Sequence, residues 1–197
     1  MPHRVPIIRR LVPDDAQAYR ALMLEAYARD PEAFTSSRAE RATLPLVWWR
    51  TRLDDGPSPA DVVLGALCAG QLCAAAGVAF EAREKARHKA TLFGMYVAPQ
   101  SRAGGLGRRL VLAALAHARS RPGVILMQLS VTHGNAAAQS LYEQCGFVSY
   151  GIEPLAVAVD GRFVAKVHMW CNLELPDPLV AIDTRRKPVR GKRNARQ

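Results

Sequence analysis

Apolar and polar positions along the chain switch between a two-residue and a three-to-four-residue rhythm, and each switch marks an element. Ile7 to Arg10 makes a short first strand. Asp14 and Gln17, three apart beside Pro13, predict a helix start with Asp14 as the cap. Tyr19, Leu22, Met23, Ala26 and Tyr27 hold helical spacing until Asp30-Pro31, where the residue before proline is steered away from helical backbone. Pro31 to Ser37 is expected as a loop, and the stretch through Trp48, Trp49, Arg50 and Leu53 as a second, partly broken helical region whose tryptophans pack inward. Val62 to Cys68 and Leu72 to Phe80, joined by Ala69-Gly70-Gln71, predict a hairpin after the Asp54 to Pro59 loop. Glu81 to Lys89 is charged and lacks an apolar period, which predicts an exposed connection.

The second half repeats the alternation at longer range. Thr91 to Val97 is apolar and partly β-branched or aromatic, with Pro99 closing it as a strand end. Leu106, Leu110, Ala113, Ala114, His117 and Ala118 recur at helical spacing, and Val124 to Val131 is nearly continuously apolar, the pattern of a strand buried on both faces and parallel to its neighbour across the helix. Asn135 is placed to cap a helix whose Ala138, Leu141, Tyr142 and Cys145 share one inward face. Val148 to Val159 and Arg162 to Leu173 pair about the Asp160-Gly161 turn, and Pro176, Asp177 and Pro178 mark the end of the patterned region. The implied order is β–α–α–β–β–β–α–β–α–β–β, one domain over residues 1–176 and a tail over 177–197.

Composition sharpens this picture in three places. The net charge of +10 is concentrated, because the seven basic residues beyond Asp183 leave only +3 for the rest of the chain. The tail is expected to be solvated and flexible, with nucleic acid or another polyanion as a partner through it alone. No apolar run approaches the ~18 residues of a membrane span and the first residues lack a signal pattern, so no membrane is expected and the cytoplasm is the expected location. Cys68, Cys73, Cys145 and Cys171 show neither C-x-x-C spacing nor a nearby histidine pair, which predicts reduced thiols and no zinc site; the five histidines are scattered, so no metal is expected.

The chemistry gathers at Arg102-Ala103-Gly104-Gly105-Leu106-Gly107, at a strand-to-helix junction. First-turn amides without partners, a positive dipole end and glycines that allow positive φ suit such a junction to an anion, and Arg102, Arg108 and Arg109 add permanent positive charge. A dinucleotide fingerprint fails because Leu110 stands where its third glycine belongs, and no Gly-Lys-Ser/Thr ending supports a nucleotide P-loop. By itself the stretch fits an empty turn as well as a phosphate site.

Its form, Arg/Gln-x-x-Gly-x-Gly/Ala, is followed by Asn135-Ala136-Ala137-Ala138-Gln139-Ser140-Leu141-Tyr142-Glu143-Gln144-Cys145-Gly146-Phe147, with a strand between. The ordered pair resembles the GNAT superfamily of acyl-CoA-dependent N-acetyltransferases over about Ile7 to Leu175. That resemblance implies an α/β (α+β mixed) fold: a central mixed, mostly antiparallel sheet with a β–α–β acyl-CoA-binding core and helices on both faces. It implies acetyl-CoA as co-substrate, a primary amine of a small molecule, amino acid or protein as acceptor, direct attack in a ternary complex, and a monomer or homodimer. By the same resemblance Met95, Tyr96 and Val97 border the pantetheine arm. Arg102, Ala103, Gly104, Gly105, Leu106, Gly107 and Arg108 hold the pyrophosphate, Asn135 and Tyr142 touch the cofactor, and Tyr142 protonates the departing thiolate. Glu25, Glu32, Phe34, Ser36, Ser37 and Glu153 are the acceptor-side candidates. The family's carboxylate in the strand before the loop has no counterpart in Leu92 to Val97, so the general base is left open among Glu25, Glu81, His133 and Glu153. Cys145 as a nucleophile, a CoA-binding module without catalysis, and a polyanion-binding protein remain as rival readings.

Overall fold

A computed structural model describes residues 5–102 and 104–174. Strands β1 (Ile7–Arg10), β2 (Asp61–Cys68), β3 (Gln71–Phe80), β4 (Lys89–Val97), β5 (Leu126–Thr132), β6 (Val148–Val159) and β7 (Arg162–Asn172) form one sheet in the order β1-β2-β3-β4-β5-β7-β6. Helices α1 (Ala16–Arg29), α2 (Arg38–Ala42), α3 (Leu46–Thr51), α4 (Leu106–Arg119) and α5 (Ala136–Glu143) complete the fold. Neighbouring strands run antiparallel except β4 and β5, which α4 joins as a parallel pair. The mixed, mostly antiparallel sheet expected from the sequence is the one observed.

Two apolar clusters lie on opposite faces of the sheet. One gathers Leu106, Leu110, Val111, Ala114, Leu115 and Ala118 of α4 with Tyr142 and Phe147; the other gathers Tyr19, Leu22, Met23 and Ala26 of α1 with Trp49. Both helices come close because β3 offers Ala74, Ala75 and Ala76, each fully buried, with 74 and 76 on one face and 75 on the other. Alanine adds little side-chain entropy cost while letting larger helix side chains fill the space.

Three local expectations are corrected. The first helix is preceded by a 3-10 turn, Pro13–Asp15, and the capping carboxylate belongs to Asp15, not Asp14: it accepts the Val12 amide at 2.9 Å and pairs with Arg9 at 2.7 Å. Strand β5 starts at Leu126 and has alternating burial, with Ser130 exposed, so it is not buried on both faces. Cys68 and Cys73 are joined as a disulfide across the β2–β3 turn, whereas Cys145 and Cys171 are buried free thiols. A pairing five residues apart reflects the close approach of antiparallel strands, not a C-x-x-C motif. The tail expectation lies outside the described residues.

Candidate active site

Strands β4 and β5 pair only at Lys89–Leu126, Ala90–Met127 and Thr91–Gln128, where Gln128 Nε2 also donates to Thr91 Oγ1 at 3.2 Å. Beyond that point β4 stays with β3 up to Val97, and β5 stays with β7 up to Thr132. The two strands therefore part, and a cleft of about 560 Å³ opens between them. A register shift near Gly94, which has φ +59°, resets the alternation along β4. Leu92, Met95 and Val97 pack with the α4 cluster, while Phe93 and Tyr96 pack with the α1 cluster. An unbroken strand would have put Leu92 and Tyr96 on the same face; the bulge turns Tyr96 to the α1 face and Met95 to the α4 face, and both border the cleft.

At one end of the cleft the chain turns into α4. Gly105 is its N-cap with φ +68°, a left-handed conformation, and added Cβ atoms at Gly104 and Gly105 would meet nothing within 4 Å. The turn is open in front of the helix, whose first turn contains no acidic residue. Gly107 serves differently: a Cβ there would meet Leu141 at 3.3 Å and Met95 at 3.5 Å, so its smallness lets α4, α5 and β4 converge. Arg108 lines the cleft, whereas Arg109 turns away to the Pro6 carbonyl at 2.9 Å. Arg102 also borders the cleft, with its guanidinium donating to the Val97 carbonyl at 2.9 Å and to Asp30 at 3.1 Å. Ala103 lies outside the described residues. An open glycine turn, first-turn amides and two arginines fit a pyrophosphate, and the unpaired edges of β4 and β5 fit an extended amide-bearing arm.

Tyr142 lines the same cleft from α5 and is 8% exposed. Burial, with a smaller contribution from Cys145, pushes its hydroxyl up to about 12. No hydrogen bond to that hydroxyl is present among the described residues, which leaves it uncommitted within the protein. Asn135 caps α5 as expected, its side chain accepting the Ala138 amide at 3.1 Å, and it also borders the cleft. Cys145 is buried and its thiol is pushed up, chiefly by burial, which disfavours the thiolate a nucleophile needs.

The acceptor-side candidates are distributed unevenly. Phe34 lines the cleft, stacked edge-on against Tyr27. Glu25 sits behind it, accepting from the Tyr96 hydroxyl at 3.2 Å and from Arg29 at 2.9 Å; burial and then Glu25 raise the Tyr96 pKa. Ser37 caps α2 through the Glu40 amide, and Ser36 accepts from Arg41 at 2.7 Å, so both hydroxyls hold local structure. Glu153 pairs with His168 at 2.9 Å on the β6–β7 surface, and Glu81 is held well below the usual carboxylate range by Arg83. Glu32 and His133 line a second cavity of about 500 Å³ between the Pro31–Ala33 turn, the β5–α5 loop and the β6–β7 turn. Two groups were not singled out in the sequence: Thr132, which lines this cavity, and Lys166 beside it. Lys166 is 3% exposed and donates to the Glu32 carbonyl at 2.7 Å and to Thr132 Oγ1 at 3.0 Å. Its one visible signal is a lone cation in the apolar run from Phe163 to Trp170.

Comparison with known proteins agrees with this geometry. Residues 20–147 match the model of the acetyltransferase (GNAT) family. The chain is 29% identical over 137 residues to a mycothiol acetyltransferase of Salinispora tropica, covering 69% of this chain and 42% of that protein. With that of Thermobispora bispora the identity is 47% over 57 residues, 29% of this chain and 19% of that one. The chain thus spans less than half the length of these curated relatives. Among solved structures, a ribosomal-protein-alanine N-acetyltransferase from Brucella melitensis is 27% identical with a TM-score of 0.69, covering 84% of this chain and 99% of that one. An acetyltransferase from Salmonella typhimurium with its cofactor acetyl-CoA superposes with a TM-score of 0.71 at 22% identity, over 86% of this chain and 95% of that chain. With a family match over most of the sheet and both signature segments within it, the chain belongs to the acetyltransferase (GNAT) family.

Proposed function

We propose that this chain transfers the acetyl group of acetyl-CoA to a primary amine by direct attack in a ternary complex. The observation that carries the reading is the cleft between β4 and β5, bordered by the open glycine turn of α4 and by the uncommitted hydroxyl of Tyr142. Bound there, acetyl-CoA supplies an activated thioester. The first-turn amides of α4 with Arg108 hold its pyrophosphate, and the free edge of β4 near Met95 and Val97 orients its arm. Arg102 exchanges its contact with Asp30 for the phosphates. Tyr142, protonated at neutral pH, donates to the sulfur as it departs. Transfer is direct because Cys145 is buried and kept protonated. On the opposite wall the Tyr96–Glu25 pair provides a route for the proton that the amine must lose.

The relatives are named a mycothiol acetyltransferase and a ribosomal-protein-alanine N-acetyltransferase, and the acceptor here is taken to be an amine of a small molecule or a peptide terminus. The test is acetyl-CoA-dependent thiol release across polyamines, amino acids, aminoglycosides and alanyl-terminated peptides. Release confined to one class identifies the acceptor. Tight acetyl-CoA binding with no release from any amine would leave a binding module and sink the enzymatic reading, and acetyl label trapped on Cys145 would replace direct transfer.

A further inference from the structure

Lys166 is a buried ammonium with no carboxylate within salt-bridge distance among the described residues. Burial lowers its pKa, and the Glu32 and Glu153 carboxylates only partly oppose this. Those two acids are directed elsewhere, Glu32 towards Arg162 at 3.9 Å and Glu153 to His168 at 2.9 Å. A buried cation without an ion pair is an expensive way to fill space, and a methionine would fill it more cheaply. Its hydrogen bonds show where that expense goes. Lys166 of β7 stands opposite Thr132 of β5 in the strand register. Lys166 Nζ donates to the Glu32 carbonyl at 2.7 Å, and Thr132 Oγ1 donates to the same oxygen at 2.8 Å while accepting from Nζ at 3.0 Å. Two donors from the sheet thus converge on one backbone oxygen of the Pro31–Ala33 turn.

That turn is the partition between the two cavities. Asp30 and Ala33 line both the cleft and the second cavity, as do Thr132 and Asn135, and Phe34 follows directly in the cleft wall. The turn's own backbone bonds are local, Ala33 to Asp30 at 2.9 Å and Phe34 to Pro31 at 3.4 Å, and do not tie it to the sheet.

We propose that Lys166 is a positioning residue: with Thr132 it clamps the Glu32 carbonyl to the sheet and so fixes the partition that shapes the acceptor side of the cleft. The acceptor part of this statement rests on the acetyltransfer reading; the clamp itself does not. Lys166 need not touch acetyl-CoA, so its loss acts on the acceptor alone.

The test uses the full chain with Lys166→Met, Thr132→Val and the double substitution. Hydrogen–deuterium exchange over residues 30–37 is expected to rise at least about tenfold in each single variant and little further in the double, because both donors serve one oxygen. Exchange in α4 is expected to stay at the wild-type rate. In Lys166→Met the dissociation constant for acetyl-CoA is expected to stay within about twofold and kcat within about threefold, while the KM of the most active panel amine rises at least about tenfold. Unchanged exchange over 30–37 would overturn the clamp, and so would exchange rising equally through β5 and β7, the mark of a space-filling lysine. A fall in kcat or in acetyl-CoA affinity with an unchanged acceptor KM would overturn the positioning role. If wild-type protein acetylates no panel amine, the acetyltransfer reading fails together with the acceptor part, and the exchange measurement still decides the clamp.

Discussion

Desolvation holds the Tyr142 hydroxyl at about 12, so at neutral pH it is a proton donor and not a phenolate. Tyr142→Phe keeps the ring and its contact with Phe147 but removes that proton. It is expected to lower kcat by about 100-fold or more, in line with a lost general acid, with acetyl-CoA affinity within about threefold by calorimetry. At the opposite end of the cleft, Gly105 has φ +68° and open space before it. Gly105→Glu is therefore expected to cost about 1–2 kcal/mol from left-handed backbone strain and to put a carboxylate where the proposed site takes a phosphate. At least a tenfold loss of acetyl-CoA affinity, beyond what the stability change explains, is the expected calorimetric result. The places of both residues beside the cleft were legible because their signals are local: a glycine at a helix start, and a tyrosine seven residues beyond a cap. Asp15 was missed by one position because the 3-10 turn before α1 shifts which carboxylate reaches the Val12 amide. The Cys68–Cys73 bond was missed because strand proximity, not spacing, makes it.

Along β4, one irregularity decides which side chains reach the cleft. The register shift near Gly94 turns Tyr96 towards α1 and Met95 towards α4. Beside it, Gly77 of β3 lies under the Phe93 ring, and a Cβ added at Gly77 would overlap that ring. Gly77→Ala is expected to destabilise the protein by about 1–3 kcal/mol through overpacking, measured by urea unfolding. Adding Phe93→Leu is expected to recover part of that loss; a strictly additive double variant would contradict the contact. A glycine inside a strand pattern can signal a bulge, yet two glycines with different duties, Gly77 for close approach and Gly94 for positive φ, look alike in sequence. The Asn135 helix was plainer, since a cap and the amide it satisfies lie three residues apart.

At the scale of the whole molecule the two faces of the sheet carry matching buried phenols, Tyr19 of α1 and Tyr142 of α5, each at about 12. A pKa raised by folding above the ordinary 10 gives stability that is complete below 10 and is lost as pH rises through about 12. Denaturation midpoints are thus expected to fall between pH 10 and 12, and less steeply in Tyr142→Phe; equal slopes would contradict the burial of Tyr142. The sequence by itself determined the order of the strands with α4 and α5 between them, the glycine turn, the capped helix with Tyr142 and, through their pairing, the family; it did not separate α2 from α3. All of these are encoded by periodicity and spacing within single segments. Tertiary structure decided what lies between them. Strand β7 inserts between β5 and β6, β4 and β5 separate after Thr91 and Gln128, and Lys166 reaches the Glu32 carbonyl across 134 residues of chain. Such contacts are set by how packed layers meet, and a buried lysine in an apolar strand has no sequence pattern that names its partner.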